Sequence, residues 1–243
     1  MGSRNASPPF SWEDPATWAP ALQGMGAVYI SYFPDLAVPG AADTVGAFAR
    51  LAVQQGVRRL VLLSGRGEEG AQRAEQAVQA SGAETTVVRA TWFNQNFSEG
   101  GFLDMVRAGD LTLPVGDVLE PFVDADDIAD VAVAALTQDG HAGQVYELTG
   151  PRLLSFVQAA DEIARAAGRP VRCTPIPLDA FTDAAAAQGE PPEVVALLRY
   201  LFSEVLDGRN ARLADGVQRA LGRAPKDFAV FAREVAVGGV WAL

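Results

Sequence analysis

The sequence of 243 residues contains one cysteine, one histidine and one lysine, and each scarcity excludes a class of site. Because Cys173 is alone, no intrachain disulfide can form, and the apolar residues around it predict a reduced, buried thiol. His141 has no second histidine with which to build a zinc site, and we predict that it is exposed in the loop 139–143. The formal charge of -11 leaves no concentrated basic face, so we predict no direct nucleic-acid partner.

Long hydrophobic runs are also missing. Met1–Phe10 has no apolar stretch of signal-peptide length, and no segment approaches the ~18 consecutive apolar residues of a membrane span. We therefore predict a cytoplasmic protein with no membrane partner. Since 49% of the residues are apolar, the chain can bury a sizeable core in one domain, or in one domain and a small lobe.

Short apolar runs alternate with segments of helical spacing in the N-terminal part of the chain. We predict strands at Ala27–Phe33, Arg59–Ser64 and Glu84–Arg89, with helices at Ala41–Gln55 and Glu69–Ala80 between them. The continuous leucine and valine of Arg59–Ser64 are typical of a strand that is covered on both faces. This alternation is a parallel crossover series, and it predicts an α/β fold with a doubly wound parallel sheet.

The pattern loosens in the second half, where strands become shorter and helices dominate. The predicted elements are a strand at Leu111–Pro114, a helix at Ala125–Thr137 capped by Asp124, a strand at Val145–Leu148, a helix from Ser155 to Ala167, and a strand at Val171–Pro175. We predict that the rest of the chain, from Asp179 to Leu243, is mostly helical and that its helices are interrupted most clearly at Gly208 and Gly222.

Four segments, in this order and spacing, resemble the NmrA-like branch of the atypical short-chain dehydrogenase/reductase superfamily. They are Arg59–Gly65, Ala80–Phe97, Phe122–Ala129 and Tyr146–Pro151, and they extend over most of the chain. The resemblance implies an NAD(P)-binding Rossmann-type core, which we place at residues 1–150. It also implies a small C-terminal lobe at residues 151–243 that closes over a substrate cleft.

Members of this family are NADPH-dependent quinone or azo-compound reductases, or redox sensors that regulate a partner protein. The resemblance therefore implies an NAD(P)H-dependent oxidoreductase acting on a small quinone-like or conjugated acceptor, with NADP or NAD as cofactor. Two alternatives stay open. One is a non-catalytic sensor or interaction protein, and the other is a cofactor-independent isomerase or cyclase that reuses the same cleft.

The glycine-rich turn that cradles a pyrophosphate in such folds is absent from the sequence. The family's second strand ends in residues similar to Met1–Asn5, where an arginine, here Arg4, meets the extra phosphate of NADP. An unstructured terminus that carries cloning residues is the alternative interpretation. We expect this chain to bind either nucleotide weakly or not at all, because the phosphate contacts are missing.

The same comparison leaves the strand at Ala27–Phe33 as an exposed apolar edge, because its neighbour in the doubly wound order would be the missing first strand. Two explanations are open: the natural protein begins further upstream, or a partner or rearranged N-terminus covers the edge. We favour the first, because the retained segments show no compensating polar substitution. A homo-oligomer is one partner that would cover the edge.

Ligands of open α/β sheets lie at the carboxyl ends of the strands. There we predict Ser64 and Asn94 as catalytic residues, although serine and asparagine are also common in turns. The tyrosine and the lysine four residues later that carry ordinary carbonyl reduction in the superfamily are missing. The residues predicted to contact the cofactor are Arg4, Ser31, Tyr32, Phe33, Ser64, Gly65, Trp92, Phe93 and Asn96. The aromatic members of this set are equally compatible with a place in the core.

Overall fold

The structure is a computed structural model that describes residues 9–242. Arg4 lies outside the described residues, so its predicted contact with NADP stays a prediction. The strands are β1 Ala27–Ile30, β2 Arg59–Gly65, β3 Glu84–Ala90, β4 Asp110–Leu113, β5 Val145–Leu148 and β6 Arg172–Pro175. The helices are α1 Trp18–Leu22, α2 Ala41–Gln54, α3 Glu69–Gln79, α4 Leu103–Ala108, α5 Ala125–Thr137, α6 Phe156–Ala167, α7 Leu178–Ala187, α8 Pro192–Tyr200, α9 Gly216–Leu221 and α10 Phe228–Val237. Across residues 9–242, the helices are all too short or too polar to span a bilayer.

Four strands form one sheet in the order β1-β2-β3-β5, and a second sheet pairs β4 with β6. β1 and β2 run parallel, with Ala27 opposite Arg59 and Ile30 opposite Leu62. α2 and α3 supply the crossovers after β1 and β2, as a parallel series requires. The predicted α/β architecture with a parallel sheet is confirmed. β1 lies at the edge of the sheet, and within residues 9–242 no strand pairs with its outer side.

β1 is clearly shorter in the structure than the sequence predicts. β1 ends at Ile30, whereas the apolar run predicts that it continues to Phe33. Ser31 and Phe33 are exposed, and the Phe33 side chain retains 79% of its accessible surface. Pairing stops at Ile30 although β2 continues to Gly65, so apolar composition alone does not reveal where β1 ends.

The helix boundaries follow the local capping signals closely. Ser155 and Gln158 form a capping box at the start of α6, and Gly168 ends that helix with a left-handed backbone. Asp124 accepts a hydrogen bond from the Asp126 amide at the start of α5, as its N-cap position predicts. These predictions are confirmed, because capping is decided by residues adjacent in sequence.

The chain forms two compact units that interleave along the sequence. The first contains Met1–Val88 and Ala132–Val145, and the second contains Arg89–Val131 and Tyr146–Leu243. The core of the first unit includes Trp18, Leu22, Ile30, Phe48, Leu60 and Leu62. The core of the second includes Phe97, Phe122, Phe156, Phe228, Phe231 and Trp241. The division at residue 150 into a Rossmann-type core and a C-terminal lobe stays a prediction.

Candidate functional site

The segment after β1 exposes two of its three predicted cofactor residues. Ser31 and Phe33 are exposed, whereas Tyr32 is half-buried. The Tyr32 ring packs on Trp12 with a centroid separation of 5.1 Å, within the aromatic cluster of the first unit. One face of Tyr32 is therefore used in packing, and Phe33 offers the freely accessible ring of this segment.

Ser64 lies near the end of β2, and its hydroxyl is held by an acidic residue of α3. Ser64 Oγ donates a hydrogen bond of 2.6 Å to Glu75 Oε1. Both side chains are buried, with 4% and 3% of their surface exposed. A buried carboxyl acceptor in a low-dielectric setting makes this an orienting hydrogen bond. The hydroxyl predicted from sequence thus has a fixed direction.

A second buried carboxyl, Glu68, packs over the end of β2. A Cβ added at Gly65 would lie 2.0 Å from Glu68 Oε1, so the carboxyl occupies the space that a side chain at this position would fill. Burial, the negative charge of Asp35 and a hydrogen bond with Asp35 raise the pKa of Glu68 to about 9, and the charge of Glu75 adds to the effect. Glu68 is therefore protonated at neutral pH.

One oxygen of Glu68 is left without a hydrogen bond. Glu68 Oε2 is buried and contacts no donor or acceptor that the described residues supply. Asp35, in contrast, is half-buried and reaches solvent. The carboxyl groups of Asp35, Glu68 and Glu75 together with the Ser64 hydroxyl form what we call the β2 carboxyl cluster.

In the second unit, Asn94 is fully buried and its amide is held by Asp124. Asn94 Nδ2 donates a hydrogen bond of 3.2 Å to Asp124 Oδ2. Asp124 Oδ1 lies 3.3 Å from the ammonium of Lys226, the only lysine of the chain. Asn94 Oδ1 has no hydrogen-bond partner in the part of the chain that the structure describes. The structure thus gives Asn94 a buried, oriented amide with one acceptor unused.

The other residues of the second unit that we predicted to contact the cofactor use part of their surface or backbone in contacts with the protein itself. Trp92 lies against Phe102, Phe156 and Phe202, with ring centroids 5.2 to 6.1 Å apart. Phe93 forms an isolated parallel bridge with Val123. The Asn96 carbonyl accepts a hydrogen bond from the Phe102 amide. Trp92 is half-buried, so its ring is shared between the core and the surface.

Three buried acidic residues near the site candidates were not predicted from the sequence. Glu75 lies on the buried face of α3 with Ala71 and Val78. An acidic residue at a position where the helical pattern predicts an apolar one would have identified Glu75 from the sequence. Glu120 accepts a hydrogen bond of 2.7 Å from the Thr91 hydroxyl, with both side chains buried. Glu68 is the N-cap residue of α3, and it interacts with Asp35 of the loop after β1, a contact that no local sequence pattern indicates.

Two predictions about single residues need correction. His141, expected to be exposed, retains only 8% of its accessible surface. Its backbone carbonyl accepts a hydrogen bond from the Thr86 hydroxyl, which holds the loop against β3. Cys173 is half-buried rather than buried, and burial together with the charge of Asp110 raises the pKa of its thiol to about 11. The thiol is protonated at neutral pH and is a poor nucleophile.

The N-termini of α2, α3 and α6 are poor sites for a pyrophosphate. At α2 the first turn contains Asp43, and a carboxyl group there is unfavourable beside an anion. At α3 the N-cap Glu68 and the first residue Glu69 place carboxyl groups where an anion would bind. At α6 the capping box already uses the first amides. A cofactor would need its phosphate contacts from elsewhere.

The strand order and the helical crossovers define an α/β protein built on a parallel sheet. No family model matches the chain. Over 230 residues it is 32% identical to the NAD(P)H azoreductase of Xenophilus azovorans, covering 90% of this chain and 79% of the relative. The crystal structure of the NADPH-dependent quinone oxidoreductase QOR2 from Escherichia coli, complexed with NADPH, shares the fold with a TM-score of 0.78 at 20% identity, over 94% of this chain and 82% of that one.

The structure of NmrA, described as a negative transcriptional regulator in complex with NADP, has a TM-score of 0.65 at 17% identity, over 94% of this chain and 81% of that one. At these identities the two structures establish the fold. The azoreductase, with its higher identity along most of the chain, establishes the relationship in sequence. The chain belongs to the NmrA-like family of atypical short-chain dehydrogenases/reductases.

Proposed function

We propose that the chain is an NAD(P)H-dependent oxidoreductase that reduces a small quinone-like, azo or other conjugated acceptor. The observation that carries this proposal is the 32% identity to an NAD(P)H azoreductase along 90% of the chain. A bound nicotinamide would supply a hydride. The protein then needs to orient the acceptor, exclude water and provide a proton.

The residues proposed for this chemistry lie at strand ends in each unit. In the first unit, Ser64 is the proposed proton donor to the acceptor, because its hydroxyl is oriented by Glu75. The exposed ring of Phe33 offers a flat surface for a conjugated molecule. In the second unit, the proposal assigns Asn94 an orienting role, because the Asn94–Asp124 hydrogen bond fixes the amide.

Consumption of NADPH in the presence of a quinone or an azo dye tests the proposed function. At millimolar NADPH we expect oxidation of the nicotinamide that depends on the acceptor. We expect Ser64→Ala to lower kcat by about tenfold to a hundredfold, in the lower range for the loss of a general acid. Ser203→Ala, which removes an exposed hydroxyl in the second unit, is the matched control. The absence of turnover with every acceptor would favour the sensor alternative.

We also propose a cytoplasmic location and self-association through the edge of β1. The edge position of β1 and the 39% exposure of Tyr29 support the second proposal. Sedimentation that detects only monomer across the micromolar range would contradict self-association.

A further inference from the structure

We propose that Glu68 supplies the proton for the reduction, through Glu75 and Ser64, and so acts as a positioning and proton-supplying residue behind the reacting hydroxyl. This inference rests on the proposed function. It concerns a residue that no sequence pattern pointed to, and it explains why a costly carboxyl is kept inside the first unit.

Asp35, Glu68, Glu75 and the Ser64 hydroxyl form a series of exchangeable groups near the end of β2. Asp35 is half-buried and shares a hydrogen bond with Glu68. Glu68 interacts electrostatically with Glu75, and Glu75 binds Ser64 Oγ at 2.6 Å. The series therefore begins at a group in contact with water and ends at the hydroxyl proposed to face the acceptor.

Two observations set this cluster apart from an ordinary group of surface acids. Glu68 is 92% buried yet keeps Oε2 without a hydrogen bond among residues 9–242, which costs folding free energy. A side chain at Gly65 would have to displace this carboxyl from its present position. A buried acid that is kept at such a cost beside a strand end is characteristic of functional sites.

The surroundings of Glu68 favour its neutral form. The loop after β1 contributes Asp35 and α3 contributes Glu75, both acidic. Arg66, in the loop between β2 and α3, is a buried charged residue close to Glu68 in sequence. Glu69, the residue after Glu68, is exposed. Desolvation and the two nearby acids together keep a proton on Glu68 at neutral pH.

The proton transfers balance as follows. A proton passed from Glu68 to Glu75 reverses the hydrogen bond, so that Glu75 donates to Ser64 Oγ and the Ser64 O–H becomes available. Once the acceptor has taken up a hydride, the Ser64 O–H bond breaks and a new bond to hydrogen forms on the anionic oxygen or nitrogen of the acceptor. The proton on Glu75 restores Ser64, and Glu68 regains its proton from water through Asp35.

Kinetics of Glu68→Gln across pH test this proposal. Glutamine keeps the shape of the side chain but carries no transferable acid, so we expect kcat to fall about tenfold to a hundredfold with the KM of the acceptor unchanged. We also expect the wild-type decline of kcat near pH 9, where Glu68 loses its proton, to be absent from the variant. Glu69→Gln removes an exposed carboxyl from the next residue and should leave both properties unchanged.

Infrared spectroscopy provides a readout that does not depend on turnover. At pH 7 the wild type should show the carbonyl stretch of a protonated carboxylic acid, and Glu68→Gln should lose it. Full kcat in Glu68→Gln, or a protonated-acid band that persists in it, would overturn the proton-supply role while leaving the proposed function intact. If the wild type reduces no acceptor, the proposed function fails and this role fails with it.

Discussion

Replacing Glu68 with glutamine should make the protein more stable at pH 8 to 9 and should flatten its stability between about pH 5 and 9. Glu68 has a folded-state pKa of about 9, against 4.5 for the ordinary group. Below pH 4.5 the Glu68 carboxyl is protonated in both the folded and the unfolded protein, so its ionisation does not change the free energy of unfolding. Between the two values the unfolded chain releases a proton that the folded chain must keep, so wild-type stability falls by up to about 1.4 kcal/mol per pH unit.

Urea unfolding of wild type and Glu68→Gln at pH 5, 7 and 9 measures this effect. The difference in free energy of unfolding should grow in favour of the variant as the pH rises, because glutamine does not ionise. Glu69→Gln, which changes the exposed neighbour, should follow the wild-type pH dependence. A difference between Glu68→Gln and wild type that is constant with pH would show that Glu68 titrates normally in the folded protein.

Gly150→Ala should destabilise the second unit by about 3 kcal/mol or more, at the upper end of the cost of overpacking. A Cβ at this position would lie 2.2 Å from the carbonyl oxygen of Phe122, and a backbone atom has little freedom to move away. The Gly150 amide also donates a hydrogen bond to the Pro121 carbonyl at 2.9 Å. The glycine therefore allows the segment after β5 to lie directly against the segment before α5.

Gly116→Ala is the matched control within the same unit. Gly116 is exposed, has no left-handed backbone and would have no atom within 4 Å of an added Cβ. Its replacement should be neutral or stabilising by up to about 1 kcal/mol through the unfolded state. Thermal unfolding measures both variants. Equal melting temperatures for the two would show that the close approach at Gly150 relaxes at no cost.

The order of strands and helices was predictable because it depends on patterns that are local in sequence. The leucine and valine of β2 and the cap residues Ser155 and Asp124 each carry their signal within a few residues. The end of β1 was not predictable in this way. Pairing of β1 stops at Ile30 although β2 continues to Gly65, and the apolar run 27–33 carries no signal of that end.

The positions of the site candidates were predictable at the level of strand ends, but their environments were not. Ser64 and Asn94 emerged from the rule that ligands lie at the carboxyl ends of strands. Their acidic partners, Glu75 and Asp124, lie 11 and 30 residues away in sequence, so only the fold brings them together. The neutral state of Glu68 likewise requires burial by a loop that no local pattern placed.

Among residues 9–242 the N-termini of α2, α3 and α6 offer no tight grip on a pyrophosphate, so we expect a nicotinamide cofactor to bind weakly. A calorimetric titration with NADPH tests it most directly. We predict saturable binding with a Kd on the order of 10 µM to 1 mM, in the range of −7 to −4 kcal/mol. A sub-micromolar Kd would contradict the absence of a phosphate cradle, and the absence of binding at millimolar NADPH would contradict the cofactor proposal.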